Sequence, residues 1–504
     1  MVTRVKTFTL EGFEPRSVSV EIDVRSGLPS FQIVGLGDAA IRESRERVRS
    51  AIQNSGFEFP MRRIVANLAP ASLRKSGPGF DAALAIGILA ASEQIPLLAL
   101  DGAGVFGELS LSGEFRPCAG ALPAAEGARA LGLARLFVPE ASAKEVSLAD
   151  GIEAIAVRDL RELHGVLSGE VAARSVARDE SDPLVEQGPD LVDVVGQIRG
   201  VEALIVAAAG GHNLLLEGPP GTGKTMLARR LPGLLPSLDR EEILEVARVQ
   251  SACGLLDTSA MSVRRPFRAP HHTVSAAGLL GGGSVPTPGE VTLAHRGVLF
   301  LDEFPEFRRD ALEALRQPLE EGFVSIVRRG GRLRFPARFQ LIAAANPCPC
   351  GYAGVNGGCE CSPNALSNYQ QRLSGPILDR IDICVLISRP KAADIQGGVA
   401  ESETLTTELA AARVKEARIR QFERWGDGVL NCAASAEQLG ARAVTSIEAH
   451  SVLGDAYERQ RLSPRGRLRV LRTARTIADL AGESATSEAS LLAALSYRVR
   501  GVER

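Results

Sequence analysis

The sequence predicts a mixed α and β protein in three parts: an N-terminal α+β region, a central α/β core with a parallel sheet, and an all-helical C-terminal region. Three observations carry this. Period-two alternation in "VSVEID" gives way to helical spacing in "DAAIRESRERVRSAIQNSG". From "HNLLLEGPPGTGKTMLARRL" onward, strand-like apolar runs alternate with helical segments, the order that builds a parallel sheet with crossover helices. After about residue 391 the pattern is helical throughout.

The chain's 504 residues, 45% hydrophobic and 23% charged, suit about three globular domains. A net charge of -2 supplies no global attraction to nucleic acid or membrane, so any polyanion contact must come from a local patch. No apolar run approaches the roughly 18 residues of a membrane span, and "MVTRVKTFTLEGFEP" lacks the apolar stretch of a signal peptide. The expected setting is cytoplasmic, with no membrane partner. Aromatics at 4% argue against base stacking as a main binding mode.

The first domain is expected over residues 1–167. Ile41, Val48 and Ile52 mark the inner face of its first helix, whose Arg42, Arg45, Arg47 and Arg49 sit among Glu43 and Glu46 and read as a solvated face. "RIVANL" is a strand and "DAALAIGILAAS" an apolar helix. Residues 168–190, charged and poor in large apolar groups, read as a linker. The core then spans 191–390 and the helical domain 391–504.

The strongest chemical signal is "GPPGTGKT", comprising Gly218, Pro219, Pro220, Gly221, Thr222, Gly223, Lys224 and Thr225, between the apolar run "NLLLE" and the helical "MLARRL". It fits the phosphate-binding pattern in the strand–loop–helix setting that pattern requires. Glycines let backbone N–H groups curl round the phosphates, Lys224 reaches the β and γ phosphates of ATP, and Thr225 ligates Mg2+. "GVLFLDEF" supplies a buried strand ending in Asp302 and Glu303, where the carboxyl ends of a parallel sheet place an active site. Asp302 is expected to hold the Mg2+ and Glu303 to activate the attacking water. "FQLIAAAN" is a further apolar strand, and Asn346 at its tip is placed to orient that water.

Together these motifs resemble the AAA+ ATPases. Within that class, "RPFRAPHHTVSAAGLLGGG", "PGEVTLAHRGVLFLDEFPEF" and "NPCPCG" resemble the ComM/YifB family of magnesium-chelatase-like proteins, over almost the whole chain. The resemblance implies a homo-hexameric ring that uses ATP to move along DNA, a helicase acting in branch migration during natural transformation. It makes "LSGPILDRIDI" the segment of the arginine finger, with Arg380 reaching a neighbouring subunit's γ-phosphate; a surface ion pair is the competing reading. "LSPRGRLRVLRTARTIADL" resembles the sensor-2 helix of a C-terminal helical lid, with Arg465 the best match and Arg467 and Arg469 close by. "DLVDVVGQIRG" resembles the stretch over the adenine, with Val195 and Gly196 as contacts.

The stretch "FVSIVRRGGRLRFPARF" carries five arginines on what reads as a hairpin, where the resemblance implies an element projecting into the ring pore. Arg328, Arg329 and Arg332 would sit at its tip and contact the DNA backbone without sequence preference. The alternative is a solvated hairpin whose arginines pair with nearby acids. The insert "APHHTVSAAGLLGGG" is a second candidate pore element, in which His271 and His272 are read either as touching phosphate or supporting the ATP site, or as packing or capping groups, without a catalytic role. In "NPCPCGYAGVNGGCEC", two C-x-C pairs separated by eight residues, Cys348 with Cys350 and Cys359 with Cys361, suit either a structural Zn2+ site or four reduced thiols in a tight loop.

In the N-terminal region, "LRKSGPGFDAALAIGIL" and "GELSLSGEFRPCAGALPAAEGARALG" resemble the protease domain of Lon. At the positions matching its serine and lysine the chain has Gly79 and Leu122, neither of which serves as nucleophile or base. Lys75 and Ser76, offset from that motif, read as a surface turn. The expected function is therefore an ATP-driven DNA translocase. Against it stand a chelatase-like motor subunit acting with a metal-inserting partner, and an ATP-dependent protease.

Overall fold

The alternating N-terminal pattern forms a long antiparallel hairpin. In the structure, a computed structural model that describes residues 2–35, 37, 39–75, 77–177, 188–257, 263–283, 287–328, 331–353, 358–373, 377–390, 405–459 and 462–498, Val2–Glu11 pairs with Glu14–Arg25 from Val2↔Asp23 to Glu11↔Glu14. Gly12, at φ +69, occupies the turn in a conformation that side chains disfavour. Val5, Val18, Val20 and Ile22 turn inward onto helix Asp81–Ala91, in which Asp81 through Ala90 are all buried. That helix is apolar on every side because every side is packed.

The chain divides into two units, Met1–Leu184 with Arg240–Met261, and Val185–Asp239 with Ser262–Arg504. In the first, eight strands run in the order Arg174–Val176, Glu153–Val157, Arg135–Pro139, Ala103–Val105, Val2–Glu11, Glu14–Arg25, Arg63–Ala69, Ser30–Val34. Parallel and antiparallel pairings are mixed, as expected for an α+β unit. Within the stretch read as a linker, Arg174–Val176 is an edge strand paired with Glu153–Val157. Helix Arg240–Ala252, which follows the phosphate-loop segment in sequence, belongs to this first unit, where Arg248 Nε donates to Glu126 Oε1 at 2.7 Å.

Two readings of this region need correction. Arg47 is not part of a solvated face: it is half-buried and pairs with the fully buried Asp81, Nε to Oδ2 at 2.7 Å, because a buried carboxylate needs a charged partner. Lys75 is not on the surface: it is fully buried and its ammonium donates to the Pro70 carbonyl, while Ser76 lies outside the described residues. Gly79 and Leu122 offer no catalytic pair. A Cβ at Gly79 would lie 2.9 Å from the Phe106 ring, and Leu122 is core.

The second unit holds a five-stranded parallel sheet in the order Phe267–Arg268, Val298–Leu301, Gln340–Ala345, Leu214–Glu217, Ile383–Leu386. Its three central strands are buried throughout, which explains why they read as unbroken apolar runs. Helices Thr407–Trp425, Ala436–Arg442, Ile447–Arg459, Pro464–Leu480 and Glu488–Ser496 form the C-terminal helical region. A buried polar network joins these helices to the sheet. His212 sets Nδ1 3.2 Å from Asp382 Oδ2 and Nε2 2.8 Å from Thr476 Oγ1, and Asp479 accepts from Arg424, Asn431 and Arg475. Among the described residues no helix is long and apolar enough to cross a membrane.

Candidate functional site

Parallel register assembles the site. Glu217 lies opposite Ala345, and Leu301 opposite Ala343, so Gly218, Asp302 and Asn346 leave the sheet at one edge. Gly218 is required there, since a Cβ would fall 2.2 Å from the Ile387 carbonyl oxygen. Gly221 and Gly223 adopt φ +73 and +88, left-handed values that curl the loop before helix Lys224–Ala228. Lys224 folds back into the loop, its Nζ donating to the carbonyls of Gly218 at 2.7 Å and Pro219 at 2.8 Å and to Asn346 Oδ1 at 3.1 Å. Burial lowers its pKa below the ordinary lysine value, with the nearby Asp302 carboxylate opposing.

Thr225 Oγ1 donates to Asp302 Oδ2 at 2.8 Å, bringing together the two residues expected to hold Mg2+. Glu303 follows at φ +51, a left-handed conformation unusual for a residue with a side chain. Its Oε2 lies 3.0 Å from His272 Nδ1, and the His272 ring sits edge-on to Phe307 at 6.5 Å. Sequence reasoning allowed His272 to support the ATP site but missed its pairing with Glu303. The only local signal is the adjacent "HH", and nothing in it specifies a partner 31 residues on.

Gly196, at φ +71, and half-buried Val195 lead into Gln197, whose buried amide donates to the Thr222 carbonyl at 3.0 Å and the Ser388 carbonyl at 2.7 Å. Gln197 thus ties the stretch expected over the adenine to the phosphate loop, a second residue that sequence reasoning missed. Arg380 ends the short helical turn Leu378–Arg380 and pairs with Glu320 of the same chain. Arg465 is exposed in the first turn of helix Pro464–Leu480. Its neighbour Arg469 is buried and donates to the carbonyls of Leu378 at 3.0 Å and Ile381 at 3.2 Å, holding the turn that carries Arg380.

The arginine-rich stretch is a hairpin, Phe323–Arg328 with Gly331–Pro336, registered from Phe323↔Pro336 to Arg328↔Gly331. Val324 and Phe335 bury its root, while Val327 is 75% exposed. Arg332 is exposed and donates to Ser325 Oγ, and the Arg334 guanidinium lies over the Phe323 ring at 4.3 Å. Arg328 is the last residue of the first strand, and Arg329 lies outside the described residues.

The four cysteines of the loop after Asn346 converge. Sγ separations are 3.3 Å for Cys348–Cys350, 3.8 Å for Cys348–Cys359 and 3.7 Å for Cys350–Cys359, and all four sulfurs, Cys361 included, lie within 4.8 Å of one another. The cluster has the donor set and spacing of a metal site.

A phosphate loop, an acidic strand end and a polar strand tip on one parallel sheet, with a C-terminal helical region, define an AAA+ ATPase core. The chain belongs to the magnesium chelatase ChlI family of that class. Residues 190–395 match the family "Magnesium chelatase, subunit ChlI", 20–142 match "Subunit ChlI of Mg-chelatase", and 404–498 match "Magnesium chelatase, subunit ChlI C-terminal". Over 506 residues it is 44% identical to an uncharacterized protein of Mycobacterium tuberculosis, covering 99% of each. It is 40% identical over 494 residues to YifB of Escherichia coli (98% of this chain, 96% of that one). It is 39% identical over 492 residues to the competence protein ComM of Haemophilus influenzae (97% and 95%). A shorter stretch of 157 residues is 32% identical to Lon protease 2 of Bacillus subtilis, 28% of this chain and 27% of that one.

Proposed function

We propose that this chain is the subunit of a cytoplasmic homo-hexameric ring that couples ATP hydrolysis to movement along DNA, driving branch migration in natural transformation or recombination. The observation that carries the reading is the hairpin between the acidic strand and the Asn346 strand. It is anchored by Val324 and Phe335, and away from that root Val327 and Arg332 are exposed. Six such hairpins would present Arg328, Arg329 and Arg332 to a phosphate backbone, a contact that attracts any sequence.

In this reading the residues divide the chemistry among themselves. The Gly218–Thr225 loop cradles the phosphates, and Lys224 exchanges the Gly218 and Pro219 carbonyls for phosphate oxygens. Val195 and Gly196 cover the adenine. Thr225 and Asp302 form an all-oxygen pair suited to a hard cation, and they would hold Mg2+, which neutralises charge on the β and γ phosphates. Glu303 takes the proton from the attacking water, and the Asn346 amide orients that water. Arg380, supported through Arg469, reaches the nucleotide of a neighbouring subunit, and Arg465 acts as sensor 2.

The test is ATP turnover by the purified chain with and without single-stranded or branched DNA. Stimulation by DNA, abolished by Lys224→Ala, supports the reading; turnover indifferent to every DNA offered overturns it. A chelatase-like motor is the second reading, favoured by the family match over residues 190–395. It predicts stimulation by a metal-inserting partner instead.

A further inference from the structure

The four-cysteine cluster takes no part in the ATP chemistry, yet it is built against the residues that do. Zn–S bonds of about 2.3 Å place the sulfurs of a tetrahedral site about 3.8 Å apart. The 3.3, 3.8 and 3.7 Å separations here, all within 4.8 Å, surround that value. They are far beyond a disulfide bond of about 2.05 Å, and a polynuclear iron–sulfur cluster would spread its ligands more widely. Backbone N–H groups point at the sulfurs as they do at metal-bound thiolates: Cys350 N–H lies 3.4 Å from Cys361 Sγ, and Ala353 N–H lies 3.2 Å from Cys348 Sγ. Cys348 is buried and Cys359 exposed, so the cluster has an inner anchor and an open side for metal entry.

Two contacts join the cluster to the nucleotide site. Cys348 stands two residues beyond Asn346, whose carbonyl accepts from Tyr369 Oη at 3.0 Å and whose side chain accepts from Lys224. On the other side, Gly351, at φ +88 and hydrogen-bonded to the Cys348 carbonyl at 2.9 Å, presses on the phosphate loop. A Cβ there would lie 2.5 Å from Pro220 Cδ. The turn from Cys348 to Gly351, which contains the first C-x-C pair, therefore lies directly against Pro220 of the phosphate loop.

We propose that Cys348, Cys350, Cys359 and Cys361 bind one Zn2+ as four thiolates, and that this ion clamps Asn346 and Pro220 in the positions nucleotide binding requires. The clamp rests on the nucleotide-site reading above; the metal site does not. The experiment uses the full chain without DNA, reading metal content and the affinity of a fluorescent ATP analogue. About one zinc per chain is expected. Stripping it with a chelator is expected to weaken analogue binding by about tenfold or more, reversibly on adding zinc. Cys359→Ser with Cys361→Ser should lose both metal and affinity. Should that variant fold poorly, Cys359→His, which keeps a zinc ligand, should retain both. Protein purified with zinc present that carries no metal and leaves Cys348, Cys350, Cys359 and Cys361 as free thiols overturns the site, as does stoichiometric iron in its place. Bound zinc whose removal leaves analogue affinity within about twofold overturns the clamp. DNA enters neither readout, so a failure of the translocase reading leaves both results standing.

Discussion

Glu303→Gln is the sharpest test of the catalytic assignment, because the structure separates the carboxylate's chemistry from its packing. Glutamine keeps the shape of the side chain and the left-handed backbone at φ +51, whose occupation by a non-glycine residue costs on the order of 1 kcal/mol in either variant. What changes is the base and its contact with His272. That contact is 3.0 Å long, but the two side chains are 29% and 55% exposed, which limits the pair itself to about 0–1 kcal/mol, or about fivefold. Loss of a general base removes about 100- to 10,000-fold, so the chemical effect should dominate. Single-turnover hydrolysis should fall at least about a hundredfold while nucleotide affinity stays within about twofold. His272→Ala alone should slow hydrolysis by up to about fivefold, with affinity again preserved. Added to Glu303→Gln it should have no further effect, because the histidine acts through the carboxylate. A Glu303→Gln enzyme that keeps more than about a tenth of its turnover would refute the assignment. A further loss in the double variant would refute the dependence of His272 on Glu303.

Replacing Arg328, Arg329 and Arg332 together by alanine should weaken DNA binding uniformly across sequences and flatten the slope of log affinity against log salt. Unchanged binding in a salt titration would remove the hairpin as the DNA contact. Arg380→Ala mixed with Lys224→Ala should recover part of the turnover that each lacks alone, since a finger acts across a subunit boundary; no recovery in a mixing titration speaks against that geometry. Asp479→Ala should destabilise the second unit by about 3–5 kcal/mol, because it strips a fully buried carboxylate from Arg475 at 3.0 Å and from Arg424. The shift in urea midpoint measures it, and a change below about 1 kcal/mol would show that the network is not structural.

The sequence by itself determined what rests on contiguous residues. The phosphate loop needs its glycines, lysine and threonine in one run, a buried parallel strand needs consecutive apolar residues, and a hairpin needs a turn between two strand-forming segments. Those elements therefore read correctly from local pattern, whereas the two C-x-C pairs left a metal site and free thiols as alternatives and the fold brought their sulfurs together. Tertiary structure alone decided which distant groups meet. Sheet order set His272 against Glu303, and helix packing gave Asp81 to Arg47 and buried Lys75. The fold also assigned Arg240–Met261 to the first unit and brought Thr476 to His212 across 264 residues. A charged residue's periodicity shows which face it occupies, but its partner is chosen by desolvation. A buried charge or amide must find a complementary group wherever the packed elements bring one, and no local pattern encodes where that is.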